Sequence, residues 1–139
     1  MLNGRVYILI AHKIMIVMAA RVDLLNKKLR ELEGTSPDIE GAAVASSEGF
    51  IMASALPAGT DEELVAAMSA LMVSTAERNT KELDRGELNE VYVRGSEGYL
   101  LMRGIGENAV LVTLARKDAK LGLVFLDMRR AADEIKDLV

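Results

Sequence analysis

One run of this chain most limits what it can fold into: from Leu64 to Ala76 there is no charged side chain, and an acidic helix start stands directly in front of it. Thr60, Asp61, Glu62 and Glu63 open the stretch. Thr60 is expected as the N-cap and Glu63, three residues on, as the reciprocal cap, with carboxylates near the positive end of the helix dipole. The helix so opened is expected to run to Leu83. A helix that covers one sheet needs a single apolar stripe. Here Leu64, Met68, Leu71, Met72 and Thr75 fill one side, while Val65, Ala66, Ala70 and Val73 occupy much of the remainder. Burial on more than one face is therefore expected, one surface supplied by the chain's own sheet and another by a second subunit or a partner.

At 139 residues the chain is expected to form one main core. Cysteine is absent, which excludes a disulfide framework and a thiolate metal site and fits a cytoplasmic setting. The net charge of -4 and the lack of a basic cluster argue against counterion-release binding to nucleic acid. With no Trp, two Phe and three Tyr, there is also little material for base stacking.

Residues 1–20 read as an N-terminal extension, apolar from Val6 to Ala11 and from Ile14 to Ala20 around His12 and Lys13. The run is too short and interrupted for a membrane span of about 20 residues. Three readings stand: a secretory signal, a start at Met15 or Met18, or a helix continuous with the next one. Met15, Met18, Val22, Leu25, Leu29 and Leu32 share one helical stripe. The domain proper is placed at 21–139, with its first helix clearest from Arg21 to Glu33.

Ile39–Ser46 and Phe50–Ser54 then read as a hairpin turning at Gly49, and the small residues Gly41, Ala42, Ala43 and Ala45 would let a helix approach closely. After the central helix, stopped at Gly86, three short strands are expected at Glu87–Val93, Tyr99–Arg103 and Ala109–Ala115. Connections this short require antiparallel neighbours. A last amphipathic helix spans about Lys120 to Val139. The order helix-strand-strand-helix-strand-strand-strand-helix predicts an α+β domain with a five-stranded antiparallel sheet.

Gly104-Ile105-Gly106-Glu107-Asn108-Ala109 has the letters of a dinucleotide-binding turn, but a strand follows where a helix N-terminus would have to hold the pyrophosphate. No phosphate-binding loop of the Gly-x-x-x-x-Gly-Lys type occurs. His12 is the sole histidine, which removes a Ser-His-Asp triad and a histidine-rich metal site. Arg78, Arg85, Arg94 and Arg103 are each either a finger for a partner's phosphate or an ordinary surface arginine. Met68 and Met72 are either adaptable interface or core filling. Neither a catalytic site, a metal site nor a cofactor is expected.

The chain resembles the Roadblock/dynein light chain domain family. The resemblance rests on Ile39–Ser46 followed by Ser47-Glu48-Gly49-Phe50-Ile51-Met52-Ala53, on the helix rich in Ala and Met after Thr60, and on Leu121-Gly122 opening the last helix. Glu48 departs from the Asp common before that glycine. The resemblance implies a profilin- or longin-type sandwich and a homodimer in which the central helices lie side by side and the third strands pair edge to edge. It also implies a non-catalytic platform, which in prokaryotic members often acts with a small Ras-like GTPase. On that reading Glu63, Ala67, Ser69, Ala70, Ser74 and Arg78 are expected to face the GTPase, and Ala66, Val73, Val91 and Val93 the sister subunit. The rivals are a scaffold insensitive to nucleotide and a domain that senses a small ligand held between sheet and helix.

Overall fold

Period-two alternation in the strands sends the apolar residues to two faces of a single sheet, and each face then needs a cover. The computed structural model describes residues 3–139 and supplies both covers. Its elements are α1 (Gly4–Thr35), β1 (Ile39–Ser46), β2 (Ile51–Ala55), α2 (Glu62–Glu82), β3 (Val91–Gly95), β4 (Gly98–Ile105), β5 (Ala109–Arg116) and α3 (Leu121–Ile135), followed by a 3-10 turn over Lys136–Leu138. The expected α+β architecture is found, with all five strands antiparallel in the order β2-β1-β5-β4-β3.

On one face Ala42, Val44, Leu101 and Leu111 pack with Leu25, Leu29 and Leu32 of α1 and Val124, Met128 and Ile135 of α3. On the other, Met102, Val110 and Val112 pack against Val73 of α2. Register places Ala43 opposite Val112 and Ala45 opposite Val110, so the smallest residues of β1 lie under α2. The hairpin tip meets the same helix. A Cβ added at Gly49, where φ is +93°, would stand 3.3 Å from Ala67 Cα and 3.8 Å from Ala70 Cβ. Both the left-handed backbone and the missing side chain are needed there.

Several boundaries differ from the sequence reading. Asp61, not Thr60, caps α2: its Oδ1 accepts from the Leu64 amide at 3.1 Å, because Pro57–Thr60 close a turn of their own through Thr60 N and Pro57 O. The stop of α2 is Asp84, not Gly86. Asp84 is left-handed at φ 54°, the Arg85 amide reaches back to Thr80 O at 2.7 Å, and the Asp84 amide to Lys81 O at 3.3 Å. β3 begins at Val91 rather than Glu87, since Arg103 Nη1 holds residues 89 and 90 off the ladder by donating to Asn89 O at 3.4 Å and Glu90 Oε2 at 2.9 Å. The turn at Gly104–Asn108 joins β4 to β5 as the hairpin reading required.

Helix α1 runs unbroken through Arg21, starting at an Asn3 cap whose Oδ1 accepts from Val6 N at 3.0 Å. Only Leu25, Leu29 and Leu32 of its stripe are buried; Met15, Met18 and Val22 are exposed. Met1 and Leu2 of the extension lie outside the described residues.

Asp38 ties the start of β1 to the start of α3. Its carboxylate accepts from the Lys120 amide at 3.0 Å and from Arg116 Nε at 2.8 Å. The amide of Lys120 foremost, and then Arg116, hold the Asp38 carboxyl below the usual carboxylate range. A depressed folded-state pKa adds stability that is complete above the unfolded value of about 3.9 and is lost as pH falls through the folded value. Asp38→Asn should therefore lower the melting temperature by a constant amount above about pH 5, and the gap to the parent chain should close below about pH 4. Thermal melts across that range check this; a gap that does not change with pH would show that the carboxylate's charge is irrelevant.

Candidate interaction surface on the central helix

Helical spacing of about 100° per residue divides α2 into three regions. Ala66, Ser69, Ala70 and Val73 are buried on the sheet. Leu64, Leu71 and Met68 point the other way and are 52%, 69% and 44% exposed. Between these regions, on the side toward β3, Val65 and Met72 are half-buried and pack with Leu88, Val91 and Leu100 against the core of that face. Met68 lies between them on the helix and continues their row outward. Thr75 prolongs the exposed ridge, its hydroxyl donating to Leu71 O at 2.9 Å. The result is an apolar ridge standing in solvent from Leu64 to Thr75 of α2, beside Val91 and Val93 on the adjoining strand.

The two edges of the sheet are treated differently. At β2 the Ser54 amide donates to Asn26 Oδ1 of α1 at 3.1 Å, so that edge carries a side-chain cap. The outer edge of β3 has no such partner among the described residues and is flanked by exposed Val93 and Tyr92. An unpaired strand edge beside an apolar ridge is a template for another chain.

Of the residues expected to face a GTPase, Glu63, Ala67, Ser74 and Arg78 are exposed on the flank of α2 away from β3. Ser69 and Ala70 are corrected, since both are buried under the chain's own sheet. Ala66 and Val73, expected at the sister subunit, are corrected for the same reason, whereas Val91 is half-buried and Val93 exposed at the β3 edge. Two similar apolar sides defeat periodicity as a guide to which one meets the sheet; the small residues go inward because β1 offers only small residues to pack on. Asn26 was not singled out by the sequence, where nothing local links it to Ser54, 28 residues away.

All four arginines considered as fingers have contacts within the chain, and that of Arg78 is the longest of the ion pairs. Arg103 pairs with Glu90, Arg94 sits 5.9 Å from the centre of the Tyr99 ring, and Arg85 Nε donates to Leu83 O at 2.9 Å. Arg78 has only a loose pairing with Glu82 at 3.7 Å, and its side chain is 78% exposed. A cleft of about 740 Å³ lies at the C-terminal end of α2, lined by Glu77, Asp84 and Glu87, and a smaller one of about 340 Å³ lies between α2 and the sheet beside Val73 and Val110.

Ser69 is fully buried, and its Oγ has no hydrogen-bond partner among the described residues. An unpaired buried hydroxyl is destabilising. Ser69→Ala should raise stability by about 1 kcal/mol in denaturant unfolding and leave self-association unchanged; a loss of stability would mean that the hydroxyl is bonded after all.

Comparison with known proteins agrees with this geometry. Residues 25–115 match the sequence model of the Roadblock/LC7 domain. The uncharacterized protein MJ0310 of Methanocaldococcus jannaschii is 38% identical over 113 residues, which cover 81% of this chain and 97% of that protein. Among solved structures, the fold is shared with a Roadblock/LC7 domain from Streptomyces avermitilis, at TM-score 0.76 and 17% identity over 81% of this chain and 94% of that one. It is shared as well with MglB in a tetrameric arrangement, at TM-score 0.78 and 23% identity over 86% and 90%. With the order of elements, the sheet and the helix at its far face all in agreement, the chain belongs to the Roadblock/LC7 domain family.

Proposed function

We propose that this chain is a non-catalytic, cytoplasmic homodimer that binds a small Ras-like GTPase and modulates its GTP hydrolysis or its localisation. The observation that carries the reading is the apolar ridge of α2 beside the uncapped edge of β3. Pairing two copies about that ridge covers Leu64, Met68 and Leu71 and joins the β3 edges into one continuous sheet. The family model and the likeness to an MglB described in a tetrameric arrangement support self-association. A partnership with a GTPase follows from what membership of the family implies for prokaryotic chains.

The two roles divide over the helix. Val65, Met68 and Met72, with Val91 and Val93, lie on the side toward β3 and serve the sister subunit. Glu63, Ala67, Ser74 and Arg78 lie on the opposite flank and remain available after pairing. Such a platform acts by ordering the partner's own catalytic loops and contributes no nucleotide site itself.

Met68→Asp tests the dimer. An unpaired carboxylate buried in the interface should weaken dimerisation by at least about 100-fold in sedimentation equilibrium, while the melting of the monomer core is retained. Unchanged association would exclude the ridge. The partner is tested by pull-down from native lysate with the tagged full chain, in excess GDP or a non-hydrolysable GTP analogue. A small GTPase should be recovered mainly with the analogue, and Arg78→Glu should reduce that recovery several-fold without disturbing the dimer. Recovery of the same partner in both nucleotides would instead mean a scaffold.

A further inference from the structure

The outer edge of β3 carries a pattern that fits itself. Gly95 pairs with Gly98 across the two-residue turn Ser96-Glu97, so alternation along the antiparallel ladder commits the backbone groups of Val91, Val93 and Gly95 to β4 and turns those of Tyr92 and Arg94 to the free edge. Side chains alternate as well. Val91 packs on the face under α2, and Val93 shares that side. Tyr92 lies on the other, its ring centre 6.2 Å from that of Tyr99 and 6.1 Å from that of Phe125 on α3, and Arg94 stands over the same Tyr99 ring at 5.9 Å. Even so, Tyr92 is 52% exposed.

We propose that β3 meets β3 of a second copy about a two-fold axis at Val93, with Tyr92 of each copy against the partner's Arg94. This rests on the homodimer proposed above and fixes its register and its choice of partner. Outward-turned residues must meet outward-turned residues, which leaves only axes through single residues. An axis at Val93 pairs all five residues of the strand, Val91 with the partner's Gly95 and Val93 with the partner's Val93. An axis at Val91 or Tyr92 would need Asn89 and Glu90 in the ladder, and Arg103 binds both, at 3.4 and 2.9 Å. An axis at Arg94 would oppose two like charges, and one at Gly95 would draw the turn into the ladder. At Val93 the chemistry also closes: the guanidinium already beside Tyr99 gains a second aromatic face, and the valines meet on the side of the α2 ridge. A partner without an aromatic ring at 92 or a cation at 94 loses these contacts, so the pair selects a copy of the same chain.

The chain has no cysteine, so single cysteines report the register. The backbone of Val93 is committed to β4, and facing residues of such a pair lie about 4.5 Å apart at Cα, within disulfide reach. Val93→Cys in the full chain should therefore form a covalent dimer under mild oxidation, whereas Tyr92→Cys or Arg94→Cys alone should not. Arg94→Glu should weaken dimerisation about tenfold in sedimentation equilibrium. Adding Tyr92→Arg should restore it, because the two altered positions face each other across the axis. A dimeric parent in which Val93→Cys fails to cross-link would overturn the proposal and leave the homodimer standing, as would dimerisation that Arg94→Glu does not weaken or that the second substitution does not rescue. A monomeric parent would overturn the homodimer itself and this register with it.

Discussion

The fold depends on how closely α2 can lie on β1. Ala43 and Ala45 present almost no side chain to the helix, and Ala66 and Ala70 answer with almost none. Bulky residues at either set of positions would lift the helix off the sheet and open voids that the core could not refill. Close approach also seats the hairpin tip, where Gly49 passes against Ala67 and Ala70 and a Cβ would stand 3.3 Å from Ala67 Cα. With Ala66, Ser69, Ala70 and Val73 against the sheet, the large residues Leu64, Met68 and Leu71 of α2 turn outward. The exposed ridge of Leu64, Met68 and Leu71 is thus the direct consequence of tight packing on the other side.

That asymmetry is joined to a second one at the sheet edges. Asn26 satisfies an edge amide of β2 from α1, whereas β3 ends the sheet on the side toward which Val65 and Met72 lean. Helix ridge and strand edge therefore lie side by side. Each alone is a weak indication of association, since scattered apolar side chains are ordinary on protein surfaces and edges are often tolerated. Together they give a surface with apolar content at its centre and directional backbone groups at its border, which is what a self-complementary contact requires.

Much of the architecture was legible in the sequence because its signals are local. Leu25, Leu29 and Leu32 repeat at helical spacing, the strands alternate, and glycine-bearing turns separate them. Errors gathered where two local signals compete. Thr60 and Asp61 are both good caps, and only the turn closed by Pro57 selects the second. Asp84 and Gly86 can each take up a left-handed conformation, and here both do, but the helix carbonyls at Thr80 and Lys81 are met from Asp84 and Arg85. Residues 87–90 were joined to the strand only by running on into Val91–Val93; their Glu and Asn are poor strand formers, and the guanidinium of Arg103, more than ten residues on, binds the last of them in a loop.

By itself the sequence determined the class of fold, the order of its elements and the presence of more apolar helix surface than one sheet can cover, because composition and periodicity act within a few turns of chain. It could not determine which side of α2 is inward, so Ser69, Ala70, Ala66 and Val73 were assigned to faces they do not occupy. That choice belongs to the tertiary structure. Two apolar sides of one helix are nearly equivalent in transfer free energy, and they are told apart only by the shape of what they pack against, which for α2 is Ala43 and Ala45 of β1 beside Met102, Val110 and Val112 of strands distant in the chain.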